Sequence, residues 1–259
     1  MEDDVIKAAF FDIDGTLLSF KTHGMPPSTR RALARLRERG IKIVISSGRP
    51  SYQLPEELRQ GFDAYVSLSG QLCYDEHGIY HENHIPRRDV EAVVDRVKAG
   101  CFDVLVMQRD RAFANELSPR VTQTAQNSGL VYEQDDIDHA FDAPVYQFCM
   151  FVSPEEEGEY LKLIPTLEHT RWTDLFCDIL PAGGGKKVGV TATLERFGIS
   201  PDEAVAFGDG ENDLSMFDAV GTGVAMGNAW DAVKERADMV TDDVDHDGIW
   251  NACEKLGML

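Results

Sequence analysis

Short unbroken apolar runs alternate with amphipathic stretches in the first third of the chain, and the same rhythm returns in the last third. "IKAAFFDI", "IKIVISSGR" and "AYVSLSG" each read as a strand covered on both faces. Between the first two, "PPSTRRALARLRERG" has helical spacing, with Ser28 as its N-cap and Gly40 past its end. A shorter helical piece is expected near Tyr52–Gln60, and "QLCYDEHGIYHE" predicts a hairpin turning near Glu76–Gly78. Strands alternating with helices predict an α/β fold built on a doubly wound parallel sheet.

The rhythm changes after Ile85. "RRDVEAVVDRVKAG" is an amphipathic helix, and "FDVLVMQ", "RAFANE" and "PVYQFCMFV" are strand-like. "PEEEGEYLKLI" reads as a helix and "TRWTDLFCDILP" as paired strands. This pattern predicts a separate α+β insert with an antiparallel sheet over 85–181, leaving 1–84 and 182–259 as one interrupted core. From Lys186 the alternation resumes: "KKVGVTATLERFG" is helical, "AVAFGD" a buried strand, "ENDLSMFDAVG" a helix, "TGVAM" a strand and "WDAVKERA" a helix. "DMVTD" and a short helix close the chain.

Composition narrows the setting. With 43% hydrophobic and 27% charged residues this is an ordinary globular chain, and no window reaches the run of about 20 apolar residues that a membrane span needs. The acidic start "MEDDVIK" is the opposite of a secretory leader, so a cytoplasmic location is expected. A formal net charge of −20 argues against nucleic-acid and anionic-membrane partners, and it requires any anion site to be locally positive. The five cysteines, never spaced C-x-x-C, read as reduced core residues.

Ligands of open α/β sheets gather at the carboxyl ends of the strands. The first strand delivers Asp12, Asp14 and Thr16, and the second Ser46, Ser47, Gly48 and Arg49. "AVAFGDGEND" delivers Asp209, Asn212 and Asp213, while Lys186 opens a helix after "AGGG". So many acids together are costly unless a cation neutralises them, and oxygen-only ligands suit Mg²⁺. An aspartate is a suitable nucleophile at phosphorus, being ionised near neutral pH. Asp12 and Asp14 are expected to face a metal and a phosphoryl group, Asp14 as the acid/base, with Ser47 and Lys186 on the equatorial phosphoryl oxygens. Asp209 is expected on the metal, supported by Asp213, Asn212 and Thr16. Arg49, with the adjoining Gly48, is placed at the substrate.

In this order, "DIDGT", "ISSGRP", "PAGGGKK" and "GDGENDLSMF" resemble the four motifs of the haloacid dehalogenase (HAD) superfamily of phosphatases. "GVAMGNA" and the position of the insert resemble its Cof-type subclass with a IIB cap. The resemblance implies a Rossmann-like core, Asp12 as nucleophile, Asp14 as acid/base, Mg²⁺ on Asp209, and the Asp12 side chain and Asp14 backbone carbonyl as first metal ligands. It selects Ser47 over Ser46. The family's lysine is followed by glycine, whereas Lys187 follows Lys186 here, and counting from "ILP" favours Lys186. "LSGQ" departs from the usual "NGA", with Ser69 in place of asparagine.

Rival motifs fit less well. "GGGKK" lacks the first glycine and the hydroxyl of a Walker loop, and "GTGVAMG" misses G-x-G-x-x-G by one residue. His77, His81 and His84 lack zinc-helix spacing and read as a solvated hairpin. "DVDHDGIWNACE" matches a calcium loop, but a strand precedes it and little chain follows, so a terminal loop before a closing helix is expected. Trp172, Asp174 and Phe176 fall near the expected tip of the insert, where the aromatics are read as packing its own sheet. The function expected is a Mg²⁺-dependent phosphatase of small phosphorylated metabolites, its cap selecting the substrate. Sugar phosphates come first, then pyridoxal phosphate or a flavin mononucleotide. A sugar phosphomutase or a non-catalytic phosphate-binding module are the alternatives, and the oligomeric state is not legible.

Overall fold

The computed structural model describes residues 6–259; Met1 to Val5 of the acidic start lie outside them. Strand β1 (Ala8–Phe11) is buried at every position, as its unbroken apolar run requires. Helix α1 (Pro27–Glu38) follows, but Ser28 does not cap it. Pro26 stands at the cap, Pro27 opens the helix, and the Ser28 hydroxyl is buried in the first turn without a hydrogen-bond partner. Proline suits that place because its ring presets φ and the first helical N–H has no intrahelical acceptor. Next come β2 (Lys42–Ser46), β3 (Ala64–Ser67), β4 (Leu72–Asp75) and β5 (Gly78–Glu82). The expected helix near Tyr52–Gln60 is instead two 3₁₀ turns, Ser51–Gln53 and Glu56–Leu58, since Pro55 between them bars a continuous helix.

The middle of the chain forms α2 (Arg87–Lys98), β6 (Asp103–Gln108), β7 (Ala112–Ala114), α3 (Pro119–Ser128), β8 (Glu133–Gln134), β9 (Val145–Phe151), α4 (Pro154–Leu161), β10 (Glu168–Thr170) and β11 (Cys177–Leu180). These strands make a sheet in the order β10-β11-β9-β6-β7-β8, antiparallel except for the β7–β8 pair. Val90, Val93, Val94 and Val97 of α2 pack with Val104, Val106, Phe148 and Met150 on one face of it. The turn between β10 and β11 folds on itself, Phe176 lying against Phe151 and edge-on to Trp172.

The chain then returns through α5 (Lys186–Phe197), β12 (Ala204–Gly208), the single turn α6 (Leu214–Phe217), β13 (Thr222–Ala225), α7 (Asp231–Arg236), β14 (Met239–Val240) and α8 (Gly248–Lys255). The larger sheet runs β14-β13-β12-β1-β2-β3-β4-β5, parallel from β14 to β3, with the β4–β5 hairpin added at one edge. Strand order therefore reverses at β1: β2 and β3 lie to one side, β12 to β14 to the other.

By internal contacts the chain forms two compact units. Of the described residues, one holds those up to Gly48, Glu56–His81 and Gly185–Leu259; the other holds Arg49–Pro55 and Glu82–Gly184. Arg49–Pro55 thus groups with the middle unit, although its place in the sequence suggested the core. All five cysteines are unpaired, and four are buried. Among the described residues no helix is long and apolar enough to cross a membrane.

Candidate active site

Register brings the chemistry to one level. Phe11 pairs with Phe207 on one side and Ile45 on the other, so Asp12, Asp209 and Ser47 leave their strands together. The Asp12 N–H donates to Phe207 O (3.0 Å), continuing the ladder one step beyond β1. The chain then turns tightly: Gly15 N–H donates to Leu18 O (2.9 Å) and Leu18 N–H to Ile13 O (2.8 Å). Gly15 has φ +83°, and a Cβ there would lie 2.2 Å from Asp209 Oδ2. Only glycine allows both the backbone and the approach.

Lys186 settles between the acids. Its ammonium is wholly buried and donates to Asp12 Oδ1 and to Asp213 Oδ1, each at 2.5 Å. Lys187, the next residue, is exposed. Asp213 uses its other oxygen to accept the N–H groups of Asp209 (2.9 Å) and Gly210 (3.0 Å). Thr16 Oγ1 donates to Asp209 Oδ1 (3.5 Å). Asn228 Nδ2 donates to Asp209 Oδ2 (3.1 Å).

One ammonium cannot neutralise this crowd. Burial pushes the Asp12 carboxyl up to about 7, the charges of Asp213 and Asp14 adding to it and Lys186 opposing. Burial, with the charges of Asp12 and Asp213, also holds Asp209 well above the ordinary carboxylate range. For Lys186 burial alone would favour the neutral amine, but Asp12 and Asp213 outweigh it and hold the group above its usual value. An unfolded aspartate releases its proton near about 3.9, whereas folded, metal-free Asp12 keeps it to about 7. In between, the native state binds more protons, so this contribution is present at the acid end and lost as pH rises. In EDTA, the urea midpoint of wild type relative to Asp12→Asn should fall between about pH 4 and about pH 7 and level off above that. A pH-independent difference would contradict the burial argument.

Asp12, Asp209 and Asp213 each offer an oxygen within 4.8 Å of the others. Asp213 accepts from Lys186 and two backbone N–H groups, so Asp12, beside Lys186, and Asp209, beside Thr16 and Asn228, keep the most acceptor capacity for a cation. Buried, oxygen-only and resistant to ionising unaided, the set fits Mg²⁺.

The other expected residues are placed as follows. Asp14 is half-buried and bridges to Leu18. Ser47 is buried, its N–H donating to Val66 O (2.8 Å) and its carbonyl accepting from Ser69 N (3.0 Å). Leu68 and Ser69 both take left-handed backbone (φ 52° and 53°), so the "LSGQ" turn holds a costly conformation against Ser47. Half-buried Gly48 ends the first unit's segment, and Arg49 belongs to the second unit, donating to Gln53 O (3.2 Å). Asn212 is half-buried, and its backbone carbonyl accepts from Ser215 Oγ (3.3 Å). Two clefts of the first unit, around Lys42, Phe62 and Asp63, lie at the amino ends of β2 and β3, away from the acids. In the terminal segment Asp243 and Asp245 engage His246 and Lys21, and α8 begins after Asp247.

Asn228 is the residue the sequence reading assigned no role. It lies in "GVAMGNA", three residues past the end of β13, so reading that strand to its carboxyl end as well would have found it.

An open parallel sheet with buried acids where strand order reverses defines an α/β enzyme site. Residues 9–253 match the haloacid dehalogenase-like hydrolases; the chain belongs to that family, as a phosphatase of the Cof type with subclass IIB neighbours. YkrA of Bacillus subtilis (strain 168) is 35% identical over 255 residues, 98% of each chain. The subclass IIB sugar phosphatase BT4131 is 34% identical, with a TM-score of 0.91 over 98% of this chain and 100% of its own. The phosphatase BT1666 from Bacteroides thetaiotaomicron is also 34% identical, with a TM-score of 0.92 over 100% of this chain and 97% of its own.

Proposed function

We propose that the chain is a Mg²⁺-dependent phosphatase of small phosphorylated metabolites, sugar phosphates foremost, acting through a phosphorylated Asp12. The observation that carries this reading is the burial of Asp12 and Asp209 within reach of one another beside the Lys186 ammonium. Likeness to a sugar phosphatase along nearly the whole chain supports the substrate class. The second unit is assigned the choice of substrate.

Asp12 attacks phosphorus, and the ester P–O bond breaks with its electron pair leaving on the ester oxygen. Asp14 supplies that oxygen with a proton. Water then attacks the aspartyl-phosphate, giving its proton to Asp14, and the P–O bond to Asp12 breaks to return the carboxylate and inorganic phosphate. Lys186, Ser47 and the backbone beside it hold the equatorial oxygens, where charge spreads during transfer. Bound Mg²⁺, held by Asp12, Asp209 and the Asp14 carbonyl, would supply the positive charge that keeps these acids ionised and draws in the phosphoryl group.

A panel of p-nitrophenyl phosphate, hexose phosphates, pyridoxal phosphate and flavin mononucleotide tests this. Phosphate release should require Mg²⁺ and fall on the order of 100-fold or more in EDTA, matching the several kcal/mol a catalytic cation contributes. No turnover on any ester with Mg²⁺ present would sink the reading and favour a binding module. A sugar phosphate isomerised without phosphate release would favour a mutase.

A further inference from the structure

One side chain ties together three segments of the first unit. Asn228 Nδ2 donates to Gly15 O (2.9 Å) in the turn after β1, and to Asp209 Oδ2 (3.1 Å) after β12. Its Oδ1 accepts the N–H of Val244 (2.9 Å) in the loop before α8. That third bond fixes which end of the amide is which: an N–H must meet oxygen, so the NH₂ group faces Gly15 and Asp209. Both its hydrogens are used, one on each catalytic loop. Asp209 Oδ2 is the oxygen nearest the space Gly15 leaves by lacking a Cβ. The amide therefore pins the carboxylate against the turn that carries Asp12 and Asp14.

We infer that Asn228 is a positioning residue: it sets the orientation of Asp209 and its spacing from the Asp12 turn, and so the affinity of the site for a divalent cation. The inference rests on the metal-site reading above. Thr16 holds the other oxygen only at 3.5 Å, and the amide's added hold on the carboxylate removes part of the ordering cost of binding. Groups that orient metal ligands typically alter affinity 10–100-fold when removed. The anchor of the amide is Val244, so the terminal loop resembling a calcium site serves here as a brace. Its Asp245 and Asp243 are engaged with Lys21 and His246, while its backbone holds Asn228.

The test is calorimetric titration of Mg²⁺ into the full chain without substrate, for wild type, Asn228→Ala and Asn228→Ser. The expected result is affinity weakened about 10–100-fold in Asn228→Ala and less in Asn228→Ser, which keeps one donor. At saturating Mg²⁺, KM for p-nitrophenyl phosphate should stay within about threefold, because the amide acts through the cation site. If wild type takes up no Mg²⁺, the metal-site reading itself fails. If wild type binds and both folded variants bind equally well, only the role of Asn228 fails. Should neither variant fold, the amide is a structural tie and the inference is overturned.

Discussion

Asp12→Asn is expected to lower kcat for p-nitrophenyl phosphate on the order of 10³-fold or more, without loss of folding. The amide matches the carboxylate in size but cannot form the acyl phosphate, so the covalent route closes entirely. What remains is the stabilisation that Lys186 and the surrounding donors give to direct attack by water. The folded state should not suffer, because the Asp12 charge is one the interior resists: burial pushes its carboxyl up to about 7. In EDTA near neutral pH the variant should therefore melt at or above the wild-type temperature. Steady-state rates paired with melting curves decide the matter. Activity within tenfold of wild type in a folded variant would remove Asp12 as nucleophile, whatever the other acids do.

The parallel core was legible because its strands are buried on both faces, so their apolar runs are continuous and end abruptly in chemistry. Phe10–Phe11 into Asp12 and Ala206–Phe207 into Asp209 show the pattern, and register then aligns those ends without further instruction. Helix α3 was not legible, since "PRVTQTAQNS" buries only Val121 and Thr124 and has no apolar stripe. The grouping of Arg49–Pro55 with the second unit could not be read either: a short loop's allegiance is set by tertiary packing that leaves no periodic mark. Ser28 looked like a cap by type, and the two prolines before it took that place. Asn228 shows a different gap. Its role is to orient an acid; uncharged, it is found only by following β13 to its carboxyl end, as β1 and β12 are followed.

An acidic surface and an anionic substrate are reconciled locally. The net charge of −20 repels a phosphate ester at long range. At the site, α5 begins at Lys186 itself, so the partial positive charge of a twelve-residue helix start lies on the residue that brings a full ammonium to the acids. Sequence proximity alone makes this possible: the helix start and the lysine are the same residue.

Lys186→Met is the harsher test, because it is expected to remove both stability and activity. The ammonium is wholly buried between Asp12 and Asp213, and its loss strands two carboxylates. Breaking a buried pair from one side costs about 3–5 kcal/mol; at about 2–4 °C per kcal/mol for a unit of this size, the metal-free melting temperature should fall by about 6–20 °C. Mg²⁺ should restore part of that, and kcat should still fall about 10²–10³-fold for want of the cation on the phosphoryl oxygens. Adding Asp213→Asn separates the two effects. Asparagine can still accept the Asp209 and Gly210 N–H groups through its oxygen while removing one stranded charge, so the double variant should melt above Lys186→Met yet stay inactive. Lys187→Ala, altering an exposed neighbour, should stay within about twofold of wild type in kcat and close to it in melting temperature. The reverse pattern, with Lys187→Ala inactive and Lys186→Met stable and active, would mean that the helix start meets the acids in another register and that the ion triad drawn here does not exist in solution.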